Sequence, residues 1–377
     1  MQETELLRSA IPGSAPVLRG TLRALFLFDI AEEIDLQQLH SILGTSPSKR
    51  EPSFVHITPE YVRYERPPVL DHISPCTTSA GQVLSGRVRY FDYGVASIEL
   101  QLGIAGGWQE LIRVANRWFE SAELEERAQE ALRAHLERTR VTLKKAYEGW
   151  TSEEYYIVQL DPILSPNGLV TSEELLRECG GYLAQLVRGE ESPLAMSERQ
   201  EVLQASMSYY TTDLLVVGWT AAVVYDTPAG ARATVDLLEY ANTQLLEFRY
   251  YDEVLTRVLE SVYKTLDRRR RFFSRWDLVS KARQLNSIRI EIRELSERTD
   301  NAIKFLSDMF YARAYRLAAI RIGVEDYHSL VNEKLSTAGE LYDSMVNEFH
   351  QGRAFILELL VVIILIIELV FLFRGGK

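Results

Sequence analysis

The sequence predicts an α+β chain: a mixed sheet-and-helix domain, then a long antiparallel helical hairpin, then a stalk helix running into one C-terminal transmembrane helix. Three observations carry this. Apolar residues alternate with polar ones in "RYFDYGVASIELQLG" (89–103), at Ala96, Ile98, Leu100 and Leu102, which is the period of a strand. No proline follows Pro228, and from there the pattern is helical to the end. An apolar run over residues 354–373 is broken only by Glu358 and Glu368. The boundaries read as a loose arm (1–20), a mixed domain (21–230), a coiled-coil-like hairpin (231–322), a stalk (323–353) and a membrane segment (354–373).

Within the mixed domain, "LRALFLFDIA" (22–31) is a short apolar strand and "EIDLQQLHSIL" has helical spacing. Residues 44–87 are rich in Pro, Ser and Thr around "ERPPVLDHISPCTTSAG" and read as loops with short strands. A bend at Gly94 suits a hairpin. Helical patterns follow over 107–120 and 123–147, and "EEYYIVQLDPI" (153–163) is another strand. "TSEELLRECGGYLAQLV" opens on Thr171-x-x-Glu174, a capping box, and is a helix. "DLLVVGWTAAVVYDT" (213–227) is apolar enough to be a strand buried on both faces.

Heptads organise the helical half. Leu238, Leu245, Leu259 and Leu266 share one position, interrupted by Asp252; Ala241, Phe248, Leu255 and Val262 share its partner. A second stretch carries Leu285, Ile292, Thr299 and Leu306 against Ile288, Leu295, Ala302 and Met309. Between them, "RRRRFFSRWD" (268–277) holds a Ser274-x-x-Asp277 box that restarts a helix, so 234–320 reads as a hairpin with this stretch at its tip. Gly323 breaks the pattern, and Glu325 and Asp326 suit the first turn of the stalk. The stalk seam runs through Val331, Leu335 and Tyr342 into the apolar tail without a proline, and with no partner evident elsewhere in the chain it predicts self-association of stalks.

Composition narrows the function. Net charge is −11, with 42 basic and 53 acidic residues, so the overall field does not favour nucleic acid. Cys76 and Cys179 stand far apart and fit a reduced compartment. The N-terminus lacks the apolar stretch of a secretory signal, and Glu3 and Glu5 make it a poor transit peptide. The six histidines have no metal spacing, and there is no P-loop, G-x-G-x-x-G or G-x-S-x-G. We therefore expect no catalytic residues, no cofactor and no metal.

Two features point to partners. From Arg257 to Arg293 there are eleven Lys/Arg and four Asp/Glu, a local charge of +7. Arg268, Arg269, Arg270, Arg271 and Arg275 stand beside Phe272, Phe273 and Trp276, a combination that suits RNA phosphates, anionic lipid or an acidic protein. Solvated cations at a helix end are the plainer reading. The second feature is the tail. Twenty residues of helix span about 30 Å, a hydrocarbon core, and four residues follow, the arrangement of a tail anchor. Glu358 and Glu368 are costly there unless another helix covers them, which predicts an assembly role inside the membrane.

Four stretches resemble the family named for "required for meiotic nuclear division", a domain of unknown function found in bacteria, fungi and animal mitochondria. They are "YFDYGVASIEL", "LLEFRYYDEVL", "RIGVEDYHSLVNEKLSTAGELYDSM" and "LELLVVIILIIELV", onto whose two carboxylates Glu358 and Glu368 fall. The likeness covers roughly residues 86–374. Ile98 and Glu99 depart from it, standing where eukaryotic members have an apolar-aromatic pair. The resemblance implies a membrane-anchored, non-enzymatic oligomer; mitochondrial members hold ribosomes near the inner membrane. The expectation is a tail-anchored oligomeric scaffold of a bacterial inner membrane, its body in the cytoplasm, tethering a partner such as a ribosome or RNA. A membrane assembly with a transport or sensing role and an unrecognised enzyme in the first domain are the alternatives.

Overall fold

The computed structural model describes residues 17–44, 67–166, 168–267, 280, 283–294 and 309–374. Its strands are β1 (Leu18–Ile34), β2 (Val69–Thr77), β3 (Val83–Tyr90), β4 (Val95–Gly106), β5 (Leu143–Leu160), the short pair β6 (Leu164–Ser165) and β7 (Gly168–Leu169), β8 (Ser206–Met207), β9 (Leu214–Val217) and β10 (Ala221–Tyr225). Its helices are α1 (Leu36–Leu43), α2 (Trp108–Phe119), α3 (Ala122–Thr139), α4 (Ser172–Arg188), α5 (Met196–Gln204), α6 (Ala231–Asp267), α7 (described over 283–294), α8 (Met309–Ile322) and α9 (Val324–Arg374).

Eight strands form one sheet in the order β2-β3-β4-β1-β5-β10-β9-β8, antiparallel except for β10 beside β5. Strand periodicity sorts the side chains. Leu22, Ala24, Phe26 and Phe28 of β1, with Ala96, Ile98 and Leu100 of β4 and Tyr156, Val158 and Leu160 of β5, point into one core under α1–α5. The alternate residues point to the other face, and the first part of α6 covers it: Leu238, Ala241, Leu245 and Leu246 are buried.

Local signals place several elements. The Asp35 carboxylate accepts from Gln37 and Gln38 N–H at 3.1 and 3.0 Å, so α1 begins there, and β1 runs on to Ile34 past a bulge between Asp29 and Ala31. Gly94 turns the β3–β4 hairpin at φ +98°, and a Cβ there would lie 1.8 Å from the Ala31 carbonyl oxygen. Both reciprocal bonds of the Thr171–Glu174 capping box form. Pro75 sits in β2, an edge strand, where a missing N–H is tolerated.

Two expectations on the elements need correction. The helix expected over 123–147 ends at Thr139, because residues from Leu143 pair with β1 (Ile34↔Leu143, Glu33↔Lys144). The single strand expected over 213–227 is a hairpin, β9 and β10, turned at Gly218–Thr220 with Gly218 N–H donating to Ala221 C=O.

The chain divides into two compact units: residues 1–247 with 299–325, and residues 248–298 with 326–377. The first holds the sheet, the start of α6 and α8. The described residues of the second are helical. Its heptad residues Leu255, Val262, Leu285, Ile288 and Ile292 are buried, as are Val331 and Ala338 of α9. The polar interruption Asp252 pairs with Lys334 of α9 at 2.5 Å, and Lys334 also donates to Thr256 at 2.7 Å. His328 packs on Phe248, with ring centroids 5.0 Å apart. The stalk thus has the internal partner that the sequence reading did not find. Val331, expected at an interface between copies, is buried within the chain; Leu335 and Tyr342 are half-buried.

Gly323, at φ +94°, separates α8 from α9 as expected. Stalk and tail are one helix of 51 residues. Its reading as a transmembrane helix over 354–373 is overturned: among the described residues no helix is long and apolar enough to cross a membrane. The uninterrupted apolar run between Glu358 and Glu368 is nine residues. That is about 14 Å of helix against a hydrocarbon core of about 30 Å. The expectation reached twenty residues only by passing over both carboxylates. The tail anchor falls with it, and the inner-membrane location loses the segment on which it rested.

Candidate functional site: a buried ionic network under α6

Strand period two places Arg23 (β1), Arg87 and Arg89 (β3), Glu99 and Gln101 (β4) and Gln159 (β5) on the face opposite the α1–α5 core. Register brings them together: Arg23 lies opposite Gln101, Leu25 and Arg87 opposite Glu99, and Arg89 opposite Ser97. Glu99 is the hub. Its carboxylate accepts from Arg23 Nη1 at 2.5 Å, from Gln101 Nε2 at 2.6 Å and from Arg87 Nε. Arg23 also donates to Gln159 Oε1 at 3.1 Å. Arg89 reaches α6, with Nη2 2.7 Å from Asp236 Oδ1 and Nη1 2.6 Å from Glu239 Oε2.

Glu99 and Glu239 are each 1% exposed as side chains, so their charge is decided by neighbours. Burial pushes the Glu99 pKa up, but the guanidiniums of Arg87, Arg23 and Arg89 outweigh it and hold the carboxyl below its ordinary range. Burial also raises Glu239, and there Arg89 and Arg87 offset it only in part. Three arginines thus face three carboxylates (Glu99, Asp236, Glu239). Among the described residues the balance leaves no surplus charge to receive an anion, and the bonds join four strands to one helix. Chemically this is a lock that fixes how α6 crosses the sheet.

Asp29, on the same face of β1, is 2% exposed, and among the described residues its Oδ2 has no hydrogen-bond partner. Burial raises its pKa to about 8. Nearby on α6, Thr243 Oγ1 meets Tyr93 Oη at 2.7 Å.

Of the residues expected to carry function, Arg268–Arg271, Phe272, Phe273, Arg275 and Trp276 lie outside the described residues. Glu358 and Glu368 lie on the α9 backbone, with side chains outside the described ones. Among the described residues no group of His, Cys, Asp or Glu is arranged to hold a metal. Sequence reasoning met Glu99 only as a departure from a family pattern and missed Arg23, Arg87 and Arg89. The usable signal was Arg-Val-Arg at 87–89 within a strand whose other face is apolar. Two inward cations two residues apart require carboxylates on whatever covers them.

A family model described as "Uncharacterized protein MJ0711, N-terminal domain" matches residues 19–232. The uncharacterized protein MJ0711 of Methanocaldococcus jannaschii is 19% identical over 198 residues, which is 52% of this chain and 61% of that protein. This chain therefore spans less than two thirds of that relative's length. No solved structure matches.

Proposed function

Since this chain belongs to the MJ0711 N-terminal domain family, we propose that it is a self-associating scaffold: the family domain builds the sheet, and the helical half assembles copies and presents a basic stretch to an anionic partner. One observation carries the reading. Leu360 through Ile367 of α9 are eight successive apolar residues, each 47–57% exposed. A helix apolar on every side is stable only when it is covered on every side. Covering both faces takes more than one neighbour, so further copies of α9 arranged as a bundle are the occupant, rather than a simple pair.

The basic stretch Arg268–Arg271 with Phe272, Phe273, Arg275 and Trp276 gives such an assembly a place to hold RNA, or a ribosome through its RNA. The likeness to the "required for meiotic nuclear division" family stands here as a remote kinship. "YFDYGVASIEL" lies inside the matched region and forms the β3–β4 hairpin; the other three stretches lie beyond it.

Light scattering of the full chain in detergent-free buffer tests the reading. A mass several times the monomer is expected, falling to the monomer when Val361, Ile364 and Leu365 are changed together to Gln. A monomeric parent, or a protein that stays in solution only with detergent or lipid, overturns it.

A further inference from the structure

Helix α8 reads "MFYARAYRLAAIRI" and contains no acidic residue. Its exposed positions are Met309, Arg313, Arg316 and Ile320. The spacing i, i+4, i+7, i+11 puts them on one stripe. Among the described residues Arg313 and Arg316 have no ion-pair partner, in a chain whose net charge is −11.

At the Ile320 end the stripe meets a cleft of about 270 Å³, walled by Val187, Val202 and Val217 and flanked by Trp219 and Ile320. Trp219 is 52% exposed and Ile320 50%. Trp219 is held in the β9–β10 turn, whose Gly218 carbonyl accepts from the Tyr155 hydroxyl at 3.1 Å. The cations at the mouth are already satisfied. Glu201 bridges Arg188, at 2.9 Å, and Arg321, and Glu198 lies 2.5 Å from Arg188.

We propose that this cleft and the α8 stripe form a docking site for an extended acidic peptide segment of a partner protein, anchored by one large apolar side chain. The cleft is smaller than the pockets of about 300–1,000 Å³ that take small molecules and suits a single side chain. A tryptophan beside arginines is the composition of an interface hot spot. The spacing defines the rest of the segment. Arg316 and Arg313 precede Ile320 by four and seven residues, about 6 and 10 Å along the helix. An extended chain advances about 3.3 Å per residue and turns every second side chain to the same side, so carboxylates two and four positions from the anchor face α8 with it, about 7 and 13 Å on, within reach of the flexible Arg316 and Arg313 side chains. A nucleobase fits less well, because the polar lining residues Arg188, Glu201 and Arg321 already pair with one another and the valine walls offer its polar edge no partner. This proposal uses none of the residues of the α9 assembly or of the basic stretch 268–276.

The test is fluorescence anisotropy with the full chain and labelled peptides carrying Phe-Ser-Glu-Ser-Glu, or the reverse order Glu-Ser-Glu-Ser-Phe, at low salt. One order is expected to bind. Changing its glutamates to Gln, pairing it with the Arg313→Gln/Arg316→Gln variant, or pairing it with Trp219→Ala should each weaken binding at least tenfold, with an unchanged urea midpoint showing that the variants fold. Equal binding of the Glu and Gln peptides, absence of binding in both orders, or displacement of the peptide by single-stranded oligouridylate overturns the proposal.

Discussion

Replacing Glu99 by Gln is the sharpest perturbation of the sheet unit. The side chain keeps its size but loses the charge that Arg23 and Arg87 face, and one of its acceptor oxygens becomes an N–H₂ pointing at guanidinium donors. The site is closed: Glu99 is 1% exposed, with Arg23 and Arg87 at 15% and 20%, so water does little to compensate. Breaking a buried ion pair from one side costs about 3–5 kcal/mol, and here one carboxylate serves two arginines, which places the expected loss at the upper end. Urea unfolding followed by tryptophan fluorescence measures it as a drop in midpoint at constant slope. Replacing Arg23, Arg87 and Glu99 together by Met, Met and Leu should recover most of the loss, since a network replaced by packed apolar groups is close to neutral. A loss below about 1 kcal/mol for Glu99→Gln refutes the lock.

Asp29 supplies a pH test. Its folded pKa, raised from 3.8 to about 8, means that the native state keeps a proton the unfolded chain has lost between those values, so stability falls as pH rises through that window. Asp29→Asn should remove that fall and be the more stable chain at pH 9 by a few kcal/mol; parallel pH profiles for the two proteins contradict this. Thr171→Ala breaks the capping box of α4 and should cost about 1 kcal/mol in the same unfolding assay, with no change counting against the cap. Changing Arg268–Arg271 to Gln should remove most of the salt dependence of RNA binding, a slope read from binding at several salt concentrations. If the parent binds no RNA at low salt, the basic stretch has another role.

The strands of the first unit were legible where one rule acted alone. "YFDYG" announced its hairpin because only glycine tolerates φ +98° there, and Thr171-x-x-Glu174 announced α4. The turn at Trp219 was not legible, because Leu214–Val217 and Ala221–Tyr225 are buried on both faces and read as one apolar run. The network around Glu99 was hidden for a different reason. Its charged members come from β1, β3, β4 and α6, and no local pattern joins residues 23, 87, 99 and 236. The heptads showed which helix faces are buried but not what covers them. Asp252 looked like a flaw in a seam until Lys334, 82 positions on, supplied its charge. The tail was misread because mean hydropathy averages over Glu358 and Glu368, whereas the uninterrupted run decides length.

Cysteine cross-linking along α9 tests the central claim, that copies cover one another at Leu360–Ile367. With Cys76 and Cys179 changed to Ser, single cysteines are placed at each of the eight positions in turn, and the full chain is oxidised in detergent-free buffer. A bundle predicts covalent dimers at every position, with multimers when Val361→Cys is combined with Ile363→Cys, because each face meets a different neighbour. Cross-linking confined to positions three or four apart would mean a simple pair, and its absence at all eight would contradict the account.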